Sequence, residues 1–511
     1  MRETKWFFLL AAMVFVIGFV RSTLGAAPEQ KLIVAVGQEP TSIDPSLSSV
    51  GGDYAVVDNW GEYIFYRAPD GQLKPGLLTS WKVSSDGKTI DCTLRKGVKF
   101  HSGDPLTSRD VAFSFERGNA KNPTVKSRLK LFDRVEVIDD YHFKFHFKTP
   151  DVTFIPNRGG AAIVSKTYYD RVGEDQFVKE PVGTGPYKVV RYVPGEYVDM
   201  ERFDDYWGEK PPVREARFLF VPEEMTRVAK LKAGEVDLIQ NVPYPLVAEI
   251  EKTRGLKTIR FATNHPTVSV VFSTRNPTTP WHDKRVRLAM AYAIDWKSMN
   301  KNVFYGIPNH YAFLAPYELG FDPSFKPYPY DPQKARALLA EAGFPQGFDL
   351  KFYWPVTGRF PMSREGAEAI ASYLEAVNIR TKLIGEEWAS FYSRYRPSKA
   401  ENAEYVCYFS GGRSAAPDPT YYLDLFFSSD GGFSVYSNPE LDKVIDEAKA
   451  TMNDAKRAEL IRKGVRIVEE EVPSIPIFNT VAVYGMKENI DFKPTQRLNM
   501  DLVLVKDVVK K

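Results

Sequence analysis

The sequence predicts a mixed α/β protein built as two or three lobes between which the chain crosses. Three observations lead there. The chain has 511 residues, enough for a large core in more than one lobe. Strand-like and helix-like segments follow one another without strict alternation. Proline and glycine are spread along the chain, so no flexible linker separates independent domains, and chain crossovers tie the lobes together.

The elements follow in order. Arg2 and Lys5 precede an apolar run from Trp6 to Val20, and the small residues Gly25, Ala26 and Ala27 come next. This layout predicts a secretory signal peptide over residues 1–26. The run of about 15 residues is short of the roughly 20 a spanning helix needs, although Arg21 leaves an uncleaved anchor as the other reading. No cysteine lies near the cleavage region, so an exported, periplasmic protein without a lipid anchor is expected.

KLIVAV (31–36) reads as a strand and is followed by the turn-rich GQEPTSIDP. Thr107 and Asp110 form a capping-box-like start to a helix. Tyr141, Phe143, Phe145 and Phe147 alternate with His142, Lys144 and His146, so a strand with one apolar face is expected. Tyr187 onward reads as a hairpin turning near Pro194 and Gly195. Asp283 caps a helix carrying Val286, Met290 and Ala293 at helical spacing. Asp331, Pro332 and Gly343 delimit another helix, and Asn438 and Pro439 open a further one.

Function classes are narrowed by what the chain carries. A net charge of +3 gives no footprint for nucleic acid. The aromatic share of 14% suits cargo pockets as well as core. HExxH, GxSxG, CxxC and EF-hand patterns do not occur, and the six histidines are scattered, so no catalytic residue, metal site or cofactor is expected. Cys92 and Cys407 read as two buried free thiols, with a disulfide as the alternative in an exported protein. Gly183-Thr184-Gly185 in PVGTGPYKV resembles a phosphate loop only superficially. It runs into Pro186 and a Val/Tyr-rich strand rather than a helix, so it reads as a tight turn.

Six blocks together resemble the extracytoplasmic solute-binding proteins of ABC importers, in the family 5 class of dipeptide, oligopeptide and nickel binders. They are the segment Thr79–Arg117, PVGTGPYKV, RFDDYWGEKPPV, LKAGEVDLI, NPTTPWHDKRVRLAMAYAIDWKSM and YDPQKARALLAEAGF. The resemblance implies a bilobal, type II periplasmic-binding-protein-like fold with mixed sheets and a hinge of two crossovers. Lobe 1 would span 27–264 with an extra subdomain at roughly 59–178, lobe 2 would span 265–475, and 476–511 would return to lobe 1. It also implies a monomer that encloses a small-molecule cargo, a peptide or peptide-like or anionic solute, and docks on an inner-membrane permease. An exported hydrolase or a carrier of a chelated metal such as nickel are the competing readings.

The resemblance points to cargo residues. Arg359 stands near where relatives place an arginine on the peptide carboxylate, a role its planar fork suits; a surface loop arginine is the plainer alternative. Trp388 matches a family tryptophan that walls the pocket, or packs in the core. In FSGGRSAAPDPTYYL, Asp418-Pro419 matches the family, but the acid that holds a peptide's amino group is replaced by Ala415, and Arg413 appears nearby. Asp418 is a candidate substitute or a loop cap. An unpaired buried ammonium costs several kcal/mol, more than the about 1.5–3 kcal/mol of a charged hydrogen bond. Such a pocket is expected to disfavour free-amine peptides. Tyr54 is a candidate cleft wall in lobe 1, or a core residue.

Overall fold

The computed structural model describes residues 31–47, 51–67, 73–121, 126, 129–152, 154–155, 161–261, 267–311, 313–314, 316, 318–356, 361–395, 404–411, 418–494 and 502–511. The expected signal peptide at 1–26 lies outside the described residues.

Two mixed sheets organise the chain. The first has seven strands in the spatial order Tyr187–Val193, Tyr197–Arg202, Glu215–Phe220, Lys31–Val36, Leu238–Ile239, Ala482–Lys487 and Leu256–Phe261. Lys31–Val36 is parallel to both neighbours, and Ala482–Lys487 runs against the strands on either side of it. The second has five strands in the order Ile379–Glu386, Phe348–Pro355, Val406–Gly411, Thr267–Phe272 and Ser474–Asn479. Its first three are parallel, and Thr267–Phe272 opposes both of its neighbours. Thr267–Phe272 and Ser474–Asn479 are buried along their whole length, as β-branched and apolar runs covered on both faces should be.

A separate four-stranded antiparallel sheet, Leu78–Val83, Thr89–Leu94, His142–Phe147 and Phe132–Val137, has its own core. The alternation expected for 141–147 holds: Phe143, Phe145 and Phe147 are buried, while His142 and His146 pair outside with Asp139 and Glu136. The helix ends follow their sequence signals. Asp283 accepts from Arg285 N–H, Asp331 from Lys334 N–H, and Asn438 from Glu440 and Leu441 N–H. Thr107 N–H donates to the Asp110 carboxylate at the start of Ser108–Lys121. Cys92 and Cys407 are free, buried and in different sheets.

PVGTGPYKV is a packing turn. A Cβ on Gly183 or Gly185 would lie 2.6 Å from the Trp60 carbonyl oxygen, so only glycine lets this loop close on the end of the helix Gly51–Trp60. Gly185 N–H donates to that oxygen (2.9 Å), and the buried Thr184 hydroxyl donates to Glu62 (2.8 Å). His101 seals the turn: its Nε2–H donates to the Gly185 carbonyl (2.9 Å) and its Nδ1 accepts from Gly183 N–H (3.4 Å). Those partners fix a neutral ring, and burial lowers its pKa to about 4.

Candidate functional site

The register of the two sheets puts both chain crossings at their carboxyl ends. In the first sheet Lys31–Val36, Glu215–Phe220, Leu238–Ile239 and Leu256–Phe261 point the same way, and Phe261 pairs with Ala482. In the second sheet Phe348–Pro355, Ile379–Glu386 and Val406–Gly411 point the same way, and Thr267 lies between Gly411 and Asn479. The chain therefore leaves one carboxyl edge at Phe261 and enters the other at Thr267. It returns from Asn479 to Ala482, so the second crossing follows Asn479, a few residues beyond the 475/476 boundary expected from the resemblance. Ligands of open α/β sheets bind outside the carboxyl ends of strands, and here two such edges adjoin.

On the first-sheet side, the loop after Lys31–Val36 is held rigidly. Asp53 accepts from Thr41 N–H (2.5 Å), from the Thr41 hydroxyl (2.9 Å) and from Ser42 N–H (3.3 Å). Asp44 takes both Arg117 nitrogens, at 2.8 and 2.6 Å, in a fully buried bidentate pair, and Arg117 also reaches Glu174 (3.1 Å). The helix Ser108–Lys121 of the small sheet is thereby tied to this loop. Tyr54 is 5% exposed and packs with Ala55, Leu502 and Leu504.

On the second-sheet side, three segments leave the carboxyl edge: the one after Pro355 toward Arg359, the one after Glu386 that opens the helix Trp388–Tyr395, and the one after Gly411 toward Arg413. Arg359, Arg413 and Ala415 lie outside the described residues. Trp388 is half-buried, stacks on Phe391 (6.0 Å between centroids) and borders the cluster of Val271, Tyr353, Tyr405, Cys407 and Val435. Asp418 is committed inside the protein. It accepts from Arg457 Nε (2.7 Å) and from Thr420 N–H (2.9 Å), and both charged side chains are 7% exposed. Arg457 also donates to the Thr451 carbonyl (2.8 Å) and to Asp454 (2.6 Å).

Sequence reading missed the groups that hold the crossovers. Asn479 Nδ2 donates to Thr267 Oγ1 (2.8 Å), and Asn479 Oδ1 accepts from Tyr311 N–H (3.0 Å). The Tyr244 hydroxyl bonds Val481, and His310 Nε2–H donates to the Pro476 carbonyl (3.1 Å) while its ring lies 4.5 Å from Trp296. Burial lowers the His310 pKa to about 4. No local pattern marks these residues, because their partners lie far away in the chain. Among the described residues no group of three or more His, Cys, Asp or Glu is placed to hold a metal, and no helix is long and apolar enough to cross a membrane. A small cavity of about 20 Å³, room for one water, lies between Ser269, Ser474, Tyr422 and Tyr436.

Two sheets joined by chain crossings at their carboxyl ends point to a class: binding proteins that take a ligand between two lobes. The family model of the bacterial extracellular solute-binding proteins, family 5 (middle), matches residues 72–434. The chain belongs to that family. It is 28% identical to the dipeptide-binding protein of Escherichia coli, with 93% of this chain and 94% of the relative covered. It is 27% identical to heme-binding protein A of Haemophilus influenzae, with 88% and 87% covered. Its fold matches the solved ABC transporter-associated periplasmic binding protein DppA from Helicobacter pylori in complex with peptide STSA. That match has a TM-score of 0.78 at 24% identity and covers 94% of this chain and 98% of the other. The expected α/β binding-protein fold and family are thus borne out.

Proposed function

We propose that this protein binds a small peptide or peptide-like, carboxylate-bearing solute between the carboxyl edges of its two main sheets and delivers it unaltered to an ABC permease. The observation that carries this reading is the convergence of both carboxyl edges at the crossovers, with the segments leading to Arg359, Trp388 and Arg413 all leaving the second edge. The relatives named for dipeptides and for heme, and the fold match titled with a bound peptide, agree with a cargo of this size class. The protein is exported, loses residues 1–26 and acts as a monomer.

The cargo reading goes further on chemistry. Arg359 and Arg413 supply cationic forks for a carboxylate. Ala415 stands where an amine-binding acid is expected, and Asp418 is already neutralised by Arg457. A solute with a carboxylate and no free α-amine is therefore favoured over an unblocked peptide. Isothermal titration with matched pairs of free and N-acetylated dipeptides tests this, with mass spectrometry of the recovered solute. Tighter binding of the acetylated member, recovered intact, is expected. Tight binding of only the free dipeptides would overturn the cargo preference, and hydrolysis of either would overturn the carrier role.

A further inference from the structure

The small four-stranded sheet reaches the half of the protein built on the second main sheet through the tip of a hairpin. The turn at 84–88 links Leu78–Val83 to Thr89–Leu94. Ser85, Asp86 and Lys88 are exposed there, yet Gly87 among them is buried. Its cover comes from two directions: a Cβ built on Gly87 would lie 3.0 Å from Pro150 Cβ and 3.4 Å from Met452 Sδ. Pro150 belongs to the small sheet's side, because Phe147 N–H donates to the Lys88 carbonyl (2.9 Å) and holds the strand His142–Phe147 against the turn. Met452 comes from the other half. It stands between the helices Pro439–Ala450 and Asp454–Glu471, and the latter runs into the second-sheet strand Ser474–Asn479.

Both partners are stiffly held. In the turn, Ser84 Oγ donates to Asp86 (2.6 Å), Lys88 N–H donates to the same carboxylate (3.1 Å), and Gly87 N–H donates to the Ser84 carbonyl (3.0 Å). Beside Met452, the Thr451 carbonyl accepts from Arg457 (2.8 Å) and the Asn453 side chain accepts from Lys456 N–H (2.9 Å). Arg457 also holds Asp418 (2.7 Å), which follows the segment carrying Arg413 and Ala415. The Met452 turn is thereby fastened to the segment proposed to face the cargo.

We propose that Met452 is an oxidation-sensitive latch: its thioether, seated against Gly87, holds the two halves in this arrangement, and oxidation by a hydroperoxide releases them. Met452 is 41% exposed, so a peroxide reaches it in the folded protein. With hydrogen peroxide, one oxygen passes to a sulfur lone pair. The O–O bond breaks, an S–O bond forms, sulfur gives up two electrons, and water leaves. The sulfoxide carries a strong hydrogen-bond acceptor where an apolar sulfur was. The backbone it faces has no donor to spare: Gly87 N–H is spent on Ser84, Lys88 N–H on Asp86, and proline has none. An acceptor pressed there loses water without gaining a partner, so the surfaces part. The inference rests on the two-lobe capture proposed above. Met225, 63% exposed on the helix Glu224–Lys232 of the first-sheet half, is a built-in control.

The test is single-molecule energy transfer between dyes on Asp133→Cys and Glu341→Cys, exposed positions of the small sheet and of the second half. It is read without added solute, before and after hydrogen peroxide; the native thiols are buried and escape labelling. Peptide mass spectrometry follows the sulfoxide at each methionine. Oxidation is expected to lower the transfer efficiency of the otherwise wild-type protein and of Met225→Leu. Methionine sulfoxide reductases specific for the two epimers are expected to restore it. Met452→Leu keeps the apolar volume and cannot be oxidised, so its efficiency should match the untreated protein and ignore peroxide. Unchanged transfer with Met452 oxidised, or an equal loss in Met452→Leu, overturns the latch. So does a Met452 that peroxide leaves intact while Met225 reacts. Because no solute is present, a dipeptide panel that binds nothing would overturn the cargo reading and leave the latch standing.

Discussion

The hydroxyl of Tyr244 makes two hydrogen bonds to the backbone of Val481, giving its proton to the carbonyl and accepting from the N–H, across 237 residues of sequence. Both residues are buried, so no water stands ready to replace either bond. Tyr244→Phe keeps the ring and orphans two backbone groups. It is expected to lower unfolding free energy by about 1–3 kcal/mol, read as a reduced urea midpoint. An unchanged midpoint would show that the clasp contributes nothing.

The glycines of PVGTGPYKV make a sharper stability prediction. A methyl at Gly183 or Gly185 meets the Trp60 backbone at 2.6 Å, and backbone cannot step aside. Gly183→Ala and Gly185→Ala should each destabilise by roughly 1–3 kcal/mol or more. Gly464 lies in the helix Asp454–Glu471, and its nearest neighbour is Leu441 Cδ1 at an ordinary 3.4 Å. Gly464→Ala should therefore be neutral or stabilising by up to about 1 kcal/mol. Thermal melts of the three variants compare the two settings directly.

Asp418 and Arg457 should behave as a structural pair. Removing one partner of a buried ion pair leaves the other charge uncompensated and costs about 3–5 kcal/mol. Arg457→Met and Asp418→Asn are each expected to fall in that range, and the double variant should lose less than the sum of the two. Denaturation of the four-member cycle checks this; strict additivity would mean that the two side chains do not interact.

Acid should weaken the fold through His101 and His310. Burial lowers both rings from 6.5 to about 4, so between those values the unfolded chain binds more protons than the folded one. Stability is then complete above about pH 6.5 and falls as pH drops toward 4, by on the order of 1–3 kcal/mol per ring. Melting temperature against pH for wild type and His310→Gln checks the sign. The variant's profile should be flatter over that window, and parallel profiles would refute the assignment.

Local order was legible in the sequence, and long-range attachment was not. The alternation from Tyr141 to Phe147, the caps at Asp283, Asp331 and Asn438, and the strand at Lys31–Val36 all depend on residues a few positions apart. That PVGTGPYKV is a turn was equally local, but its partner Trp60 was not. Tyr244, Asn479 and His310 carry no periodic or capping signal, because each acts through a partner that only the tertiary fold brings near. Asp418 shows the same limit: its sequence context fits a cargo contact, while its partner Arg457 lies 39 residues away on a helix.

The proposed carrier role requires that a small solute be enclosed as the two lobes close on it. Small-angle X-ray scattering, with and without a saturating solute first identified by calorimetry, tests it most directly. A smaller radius of gyration is expected in the bound protein, with the solute recovered unchanged. An identical radius in the two states, with binding established independently, would contradict it.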